Sequence, residues 1–112
     1  MQKNYLKNLT SACEEAAQND DRIFDIVMYG SATRGKENPS DVDIAIIFYN
    51  LPLKEQLEII SQFKQSIKKI IPSIDVKGMN IKDFFNPDIL SRQGIIMEGT
   101  SLIDGKTLAG KM

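Results

Sequence analysis

The chain has no histidine and no tryptophan, and its single cysteine is Cys13. Without histidine, imidazole acid–base catalysis, Ser–His or Cys–His nucleophile pairs and imidazole-ligated zinc are excluded. A single thiol forms no intramolecular disulfide, which fits a reducing cytosol. Cys13 is expected to be a small buried residue on the first helix. No apolar run reaches the ~18 residues a membrane span needs. The N-terminal "MQKNYLKNLTSACEEAAQ" is amphipathic and turns acidic, unlike a secretion signal, so the Asn8-Leu9-Thr10 glycosylation triplet carries no weight. Neither sign of charge dominates: 14 Lys and Arg against 15 Asp and Glu leave a net −1. No general affinity for nucleic acid or anionic membrane follows from that balance. A cytoplasmic protein is expected, and any metal in it must be held by oxygen, which favours Mg²⁺ or Mn²⁺.

What is present suits one small soluble domain. The 112 residues are 42% hydrophobic and 26% charged, enough for a single modest core spanning 1–112, with a loose tail from about residue 104. Leu6, Leu9, Cys13, Ala16 and Ala17 predict a helix over 3–19. "IFDIVMYG" predicts a strand from Ile23 to Tyr29, stopped by Gly30, and "DVDIAIIFYN" a second from Asp43 to Tyr49. The second is apolar on both faces beyond its opening acid, as in the middle of a covered sheet. Leu53, Leu57, Ile60, Phe63, Ile67 and Ile70 then trace an amphipathic helix from Pro52 to Ile70. A third strand is expected over 73–79, short helices over 81–85 and 87–99, and a short strand over 101–103. The fold class is therefore α/β (α+β): a small mixed sheet with helices on one face.

The chemistry is concentrated in "YGSATRGKENPSDVDIA", residues 29–45. Gly30, Gly35 and Lys36 have the spacing of a Walker A phosphate loop, but that loop needs a Ser or Thr after the lysine to hold Mg²⁺ and a helix beginning there. Glu37 follows instead, and Pro39 disfavours helical geometry at Asn38. The ATPase reading fails on both requirements.

A second reading joins the loop to the acids after it. Gly30 allows a close backbone turn, Ser31 offers an amide and a hydroxyl to a phosphate oxygen, and Arg34 offers a planar fork of donors. Asp41 and Asp43 open the next strand two residues apart, so both carboxylates point to one face. Such a pair repels itself unless a cation lies between. Asp75, the lone acid of the third strand, joins them if that strand lies beside the second. Plainer roles exist for each residue. Asp41 and Asp43 could cap a helix or face solvent, Ser31 could make a turn, and Arg34 could pair with Glu37. Asp75 could be an edge-strand polar residue, neutralised by Lys77 on the same face.

Together, Gly30-Ser31, Arg34-Gly35 and Ser40-Asp41-Val42-Asp43 resemble the G-S-x-x-R-G…S-D-x-D signature of the DNA polymerase β-like nucleotidyltransferases, and the short chain resembles the minimal nucleotidyltransferase branch. That resemblance implies transfer of a nucleoside monophosphate, AMP from ATP, to an acceptor hydroxyl with two Mg²⁺ ions (or Mn²⁺). Asp41, Asp43 and Asp75 would be the metal ligands, with Asp75 also able to help deprotonate the acceptor. Gly30 and Ser31 would hold the β- and γ-phosphates, and Arg34 the phosphate or the acceptor. Larger members carry a helical acceptor-binding domain for which 112 residues leave no room. In the minimal branch a helical HEPN-type toxin supplies the missing wall, in a hetero-oligomer, and is adenylylated on tyrosine by its antitoxin. The alternatives are an antitoxin that acts by binding alone and a small-molecule, aminoglycoside-type nucleotidyltransferase.

Overall fold

Two helices lie on one face of a four-stranded mixed sheet. The structure, a computed structural model, describes residues 5–29, 42–71, 74–85 and 99–103. Helix α1 (Tyr5–Asn19) leads into β1 (Ile23–Tyr29), and β2 (Val42–Phe48) is followed by α2 (Leu53–Ile67) and β3 (Ile74–Asn80). A 3-10 turn (Ile81–Phe85) and the two-residue β4 (Thr100–Ser101) complete the described elements. The strand order is β3-β2-β1-β4; β2 runs parallel to β3, whereas β1 is antiparallel to both its neighbours.

Alternation along the strands creates two different faces. Ile26 and Met28 of β1, Val42, Ile44, Ile46 and Phe48 of β2, and Val76 of β3 pack with Leu9 and Cys13 of α1 and with Ile60, Phe63 and Ile67 of α2. Each such buried aliphatic or aromatic side chain contributes about 1.5–3 kcal/mol relative to exposure. The opposite face has a smaller cluster, Val27, Ala45 and Ile47, with Phe24, Tyr29, Met79 and Ile81 packed against it. β2 is thus buried on both sides, as its composition predicts, and Cys13 is fully buried on α1.

The long helix departs from its predicted stripe. Leu53 and Leu57 are 67% and 55% exposed, and the buried positions are Gln56, Ile60, Phe63 and Ile67. Gly78 is the physical reason. A Cβ there would lie 2.7 Å from Gln56 Oε1 and 2.8 Å from Ile60 Cδ1, so its absence lets α2 settle on β3 along that line. Gln56 tolerates burial because its amide donates to the Leu51 carbonyl at 2.7 Å. Asn80 holds the same segment from β3, accepting from Leu51 N (2.7 Å) and donating to Leu51 O (3.1 Å). Helix α2 ends at Ile67, before the predicted Ile70, and the turn after it is closed by the Ile70 and Ile71 amides, which both donate to the Ile67 carbonyl. The expected strand over 101–103 begins one residue earlier, although the Leu102 amide still donates to Ile26 O at 2.8 Å. The helix expected over 87–99 and the tail from 104 lie outside the described residues.

β4 is secured by a buried carboxylate. Asp25 is fully shielded, and its Oδ1 accepts from the Ser101 hydroxyl at 2.7 Å and from the Ile26 amide at 2.9 Å.

Candidate active site

Pairing across three strands assembles the site. On β1, Tyr29 is the register partner of Asp43 on β2, and Asp43 is the partner of Asp75 on β3. Register partners in a sheet share a face, and neighbouring strands are about 4.8 Å apart. Tyr29, Asp43 and Asp75 therefore form one row, on the face away from the helices, at the end of β1 where the chain enters residues 30–41. Asp43 is partly buried and Asp75 is exposed, so the row runs from a shielded phenol to an open carboxylate at the sheet edge formed by β3 among the described strands.

The condition set for Asp75 is met: β3 lies beside β2, and the two acids are in register. Neither stands at a helix terminus. Lys77 shares the face of Asp75, as expected, and pairs with Ala45, but among the described residues no ion pair joins it to Asp75. Gly30, Ser31, Arg34 and Asp41 lie outside the described residues. Among those that are described, no three acids or other ligating groups converge on one point. Asp43 and Asp75 are the two members of the predicted triad that the structure brings together.

Tyr29 has no role in the motif analysis, yet its environment is unusual. Its Oη is buried without a hydrogen-bond partner among the described residues, and its ring packs on the Val27–Ala45–Ile47 cluster. Burial, then the negative charges of Asp43 and Asp75, push its pKa up to about 12. The phenol therefore keeps its proton near neutral pH and has a hydrogen to donate. The one available signal in the sequence was an aromatic hydroxyl immediately before the glycine of the loop.

The donor set fits a hard divalent cation. Two carboxylates one strand spacing apart, in a chain without histidine and with its one cysteine in the core on the other face, match the oxygen coordination of Mg²⁺ or Mn²⁺. A cation between them would remove the repulsion that their register imposes.

The family model for "Polymerase beta, Nucleotidyltransferase" matches residues 11–105. The chain belongs to the polymerase β nucleotidyltransferase family. Its sheet, with helices on one face and the acids on the other, is that family's fold. No curated protein sequence matches this nucleotidyltransferase. Among solved structures, a nucleotidyltransferase-assigned protein from Sulfolobus solfataricus superposes with a TM-score of 0.59 at 18% identity, over 88% of this chain and 78% of that one. The complex of a tri-AMPylated Shewanella oneidensis HEPN toxin with its MNT antitoxin matches with a TM-score of 0.56 at 16% identity, covering 99% and 77%. A toxin–antitoxin structure with AMP-PNP gives 0.54 at 18% identity, covering 98% and 77%. At these identities the likeness establishes the nucleotidyltransferase fold. Among the described residues, no helix is long and apolar enough to cross a membrane.

Proposed function

We propose that this nucleotidyltransferase uses Mg²⁺ and ATP to transfer AMP onto a hydroxyl of a partner protein, and that the partner is a HEPN-type toxin which it neutralises. The observation that carries the reading is the in-register pairing of Asp43 with Asp75, in a chain of this family, at the strand end next to a glycine–serine loop. Two fold neighbours, a tri-AMPylated HEPN toxin in complex with its MNT antitoxin and a toxin–antitoxin structure with AMP-PNP, support the choice of nucleotide and partner.

The roles follow the family resemblance and, for Asp43 and Asp75, their register. Asp43, with Asp41 two residues earlier in the sequence, would hold the metal–triphosphate, Gly30 and Ser31 would bind its phosphates, and Arg34 the phosphate or the acceptor. Asp75 stands on the exposed side, where an acceptor can approach over β3. Its carboxylate orients the acceptor hydroxyl and can take its proton. The hydroxyl oxygen forms a bond to the α-phosphorus, the bond from that phosphorus to the bridging oxygen breaks, and pyrophosphate leaves with the electron pair. The divalent cations, when bound, stabilise charge on the attacking and leaving oxygens. An acceptor reached over an exposed edge suits a protein side chain, since nothing in the described sheet encloses it.

Intact-mass spectrometry tests the reading. The protein is incubated with ATP, Mg²⁺ and the HEPN-type protein encoded beside it, with Asp43→Asn in parallel. A partner heavier by one or more AMP units, unmodified by the variant, is expected. A stable complex with no mass increment from any nucleoside triphosphate would favour neutralisation by binding alone.

A further inference from the structure

Tyr29 is an expensive choice of residue. A buried hydroxyl with no partner costs the protein its desolvation, whereas phenylalanine would fill the same space on Val27, Ala45 and Ile47 without that cost. An unpaired donor in this position calls for an acceptor that the described residues do not contain. Three observations indicate where that acceptor arrives. Tyr29 pairs in register with Asp43 and stands one strand further from Asp75 on the same face. It immediately precedes Gly30, where the chain enters the loop assigned to phosphate. Its side chain is only partly buried as a whole, so a change of rotamer can carry the oxygen to a ligand above the row.

We propose that Tyr29 is a ligand-binding residue of this site, its hydroxyl donating a hydrogen bond to a phosphate oxygen of the bound metal–nucleotide. The inference rests on the nucleotidyltransferase reading and adds to it a donor outside the signature. A neutral donor suits this place. A lysine would neutralise the carboxylates that have to hold the cation, and a second acid would repel the phosphates. The phenol gives a hydrogen bond without changing the charge of the site.

Tyr29→Phe separates this role from packing. Calorimetric titration with Mg²⁺ and AMP-PNP is expected to show affinity about tenfold weaker than wild type, the usual size of a hydrogen bond to a charged group. The ligand-free variant is expected to unfold at the same temperature or higher, because an unsatisfied polar atom has been removed. Tyr49→Phe, on an exposed ring that packs edge-on against Phe24, should change neither property. Mg²⁺-tripolyphosphate, which has no base or sugar, should lose the same factor as the nucleotide. Equal affinities for wild type and Tyr29→Phe would overturn the proposal alone. So would a lower unfolding temperature for the ligand-free variant, since the hydroxyl would then be satisfied inside the protein. A loss confined to AMP-PNP would move the contact to base or sugar and overturn the phosphate assignment. A wild-type protein that binds neither ligand would overturn both this inference and the nucleotide reading beneath it.

Discussion

The two faces of the sheet are made from the same seven-residue strands but meet opposite demands. Towards the helices, Val42, Ile44, Ile46 and Phe48 of β2 are fully buried in a continuous apolar layer. Away from them, the alternate residues Asp43, Ala45 and Ile47 begin with a carboxylate and end in a small cluster. A one-residue slip of β2 would exchange the two sets and bury Asp43 under the helices. The two acids are therefore positioned by the hydrophobic core. Packing of Ile44 and Ile46 against α1 and α2 sets the register, and the register sets Asp43 beside Asp75. Loops need not place these two acids.

That division predicts opposite signatures for substitutions on the two faces. Asp75→Asn should lower transfer by about a hundredfold or more through loss of metal-ion catalysis, while its exposed position keeps the change in unfolding free energy within ~0.5 kcal/mol. Ile46→Ala, two-thirds of the way along the neighbouring strand on the other face, should cost about 2–5 kcal/mol by opening a cavity. Its activity per folded molecule should stay near that of wild type. Urea titrations paired with initial rates measure both. If Asp75→Asn unfolds the protein, or Ile46→Ala abolishes transfer while folded, the two faces are not separable. Gly78→Ala probes the same division through the helix seat and should cost about 1–3 kcal/mol, since its Cβ must displace Gln56 and Ile60. A neutral result would mean that α2 is free to shift and that the core is a looser template than this comparison requires.

The sheet was more legible in the sequence than the seating of the helices upon it. β1 runs from Ile23 to Tyr29 as the β-branched run predicts, and the two-sided apolarity of β2 correctly places it inside the sheet. Asp75 could be linked to Asp43 because a strand's period of two is rigid: once β3 lies beside β2, register decides the rest. Helical periodicity is weaker evidence. It put Leu53 and Leu57 on the apolar stripe without saying what covers them, whereas a glycine on another element, Gly78, selects Gln56 and Ile60 for the buried line. Nothing within the helix itself carries that information, because the missing Cβ is 20 or so residues away. Tyr29 was passed over for a related reason. An unpaired hydroxyl is a property of surroundings, and a tyrosine ending a strand is ordinary by composition.

The next smaller effect lies under the helices. Burial, then the charges of Asp25 and Glu14, push the Cys13 thiol from 9.0 up to about 12. Above pH 9 the unfolded chain binds fewer protons than the folded one, so the thiol's contribution is intact below about pH 9 and lost as pH rises towards 12. Tyr29, raised from 10.0 to about 12, adds loss in the same direction from about pH 10. Urea midpoints measured from pH 8 to 11 should fall, and Cys13→Ala should flatten the earlier part of that fall. Cys13 should also react with a thiol reagent no faster than the protein opens; rapid reaction at pH 8 would contradict its burial on the helix face.

The smallest expected effect is at the turn that joins the helix layer to the sheet. Arg22 donates to both Asp20 oxygens, Nε to Oδ1 and a terminal nitrogen to Oδ2, each at 2.9 Å, and these bonds lower the Asp20 pKa. The Arg22 side chain is exposed, so water screens the pair and little stability rests on it despite its fork geometry. A depressed carboxylate contributes stability that is present above its unfolded value of 3.8 and lost as pH falls through the folded one. Asp20→Asn should therefore lower the urea midpoint slightly at pH 7 and not at all well below pH 3, with transfer unchanged at pH 7. The site lies at the far end of β1, and the backbone ladder from Ile23 to Tyr29 holds the register in between. A drop in transfer without a matching drop in stability would show that strain at this turn travels along β1 to the Tyr29–Asp43 pair. In that case the helix-side connection, and not the ladder alone, would be setting the geometry of the acids.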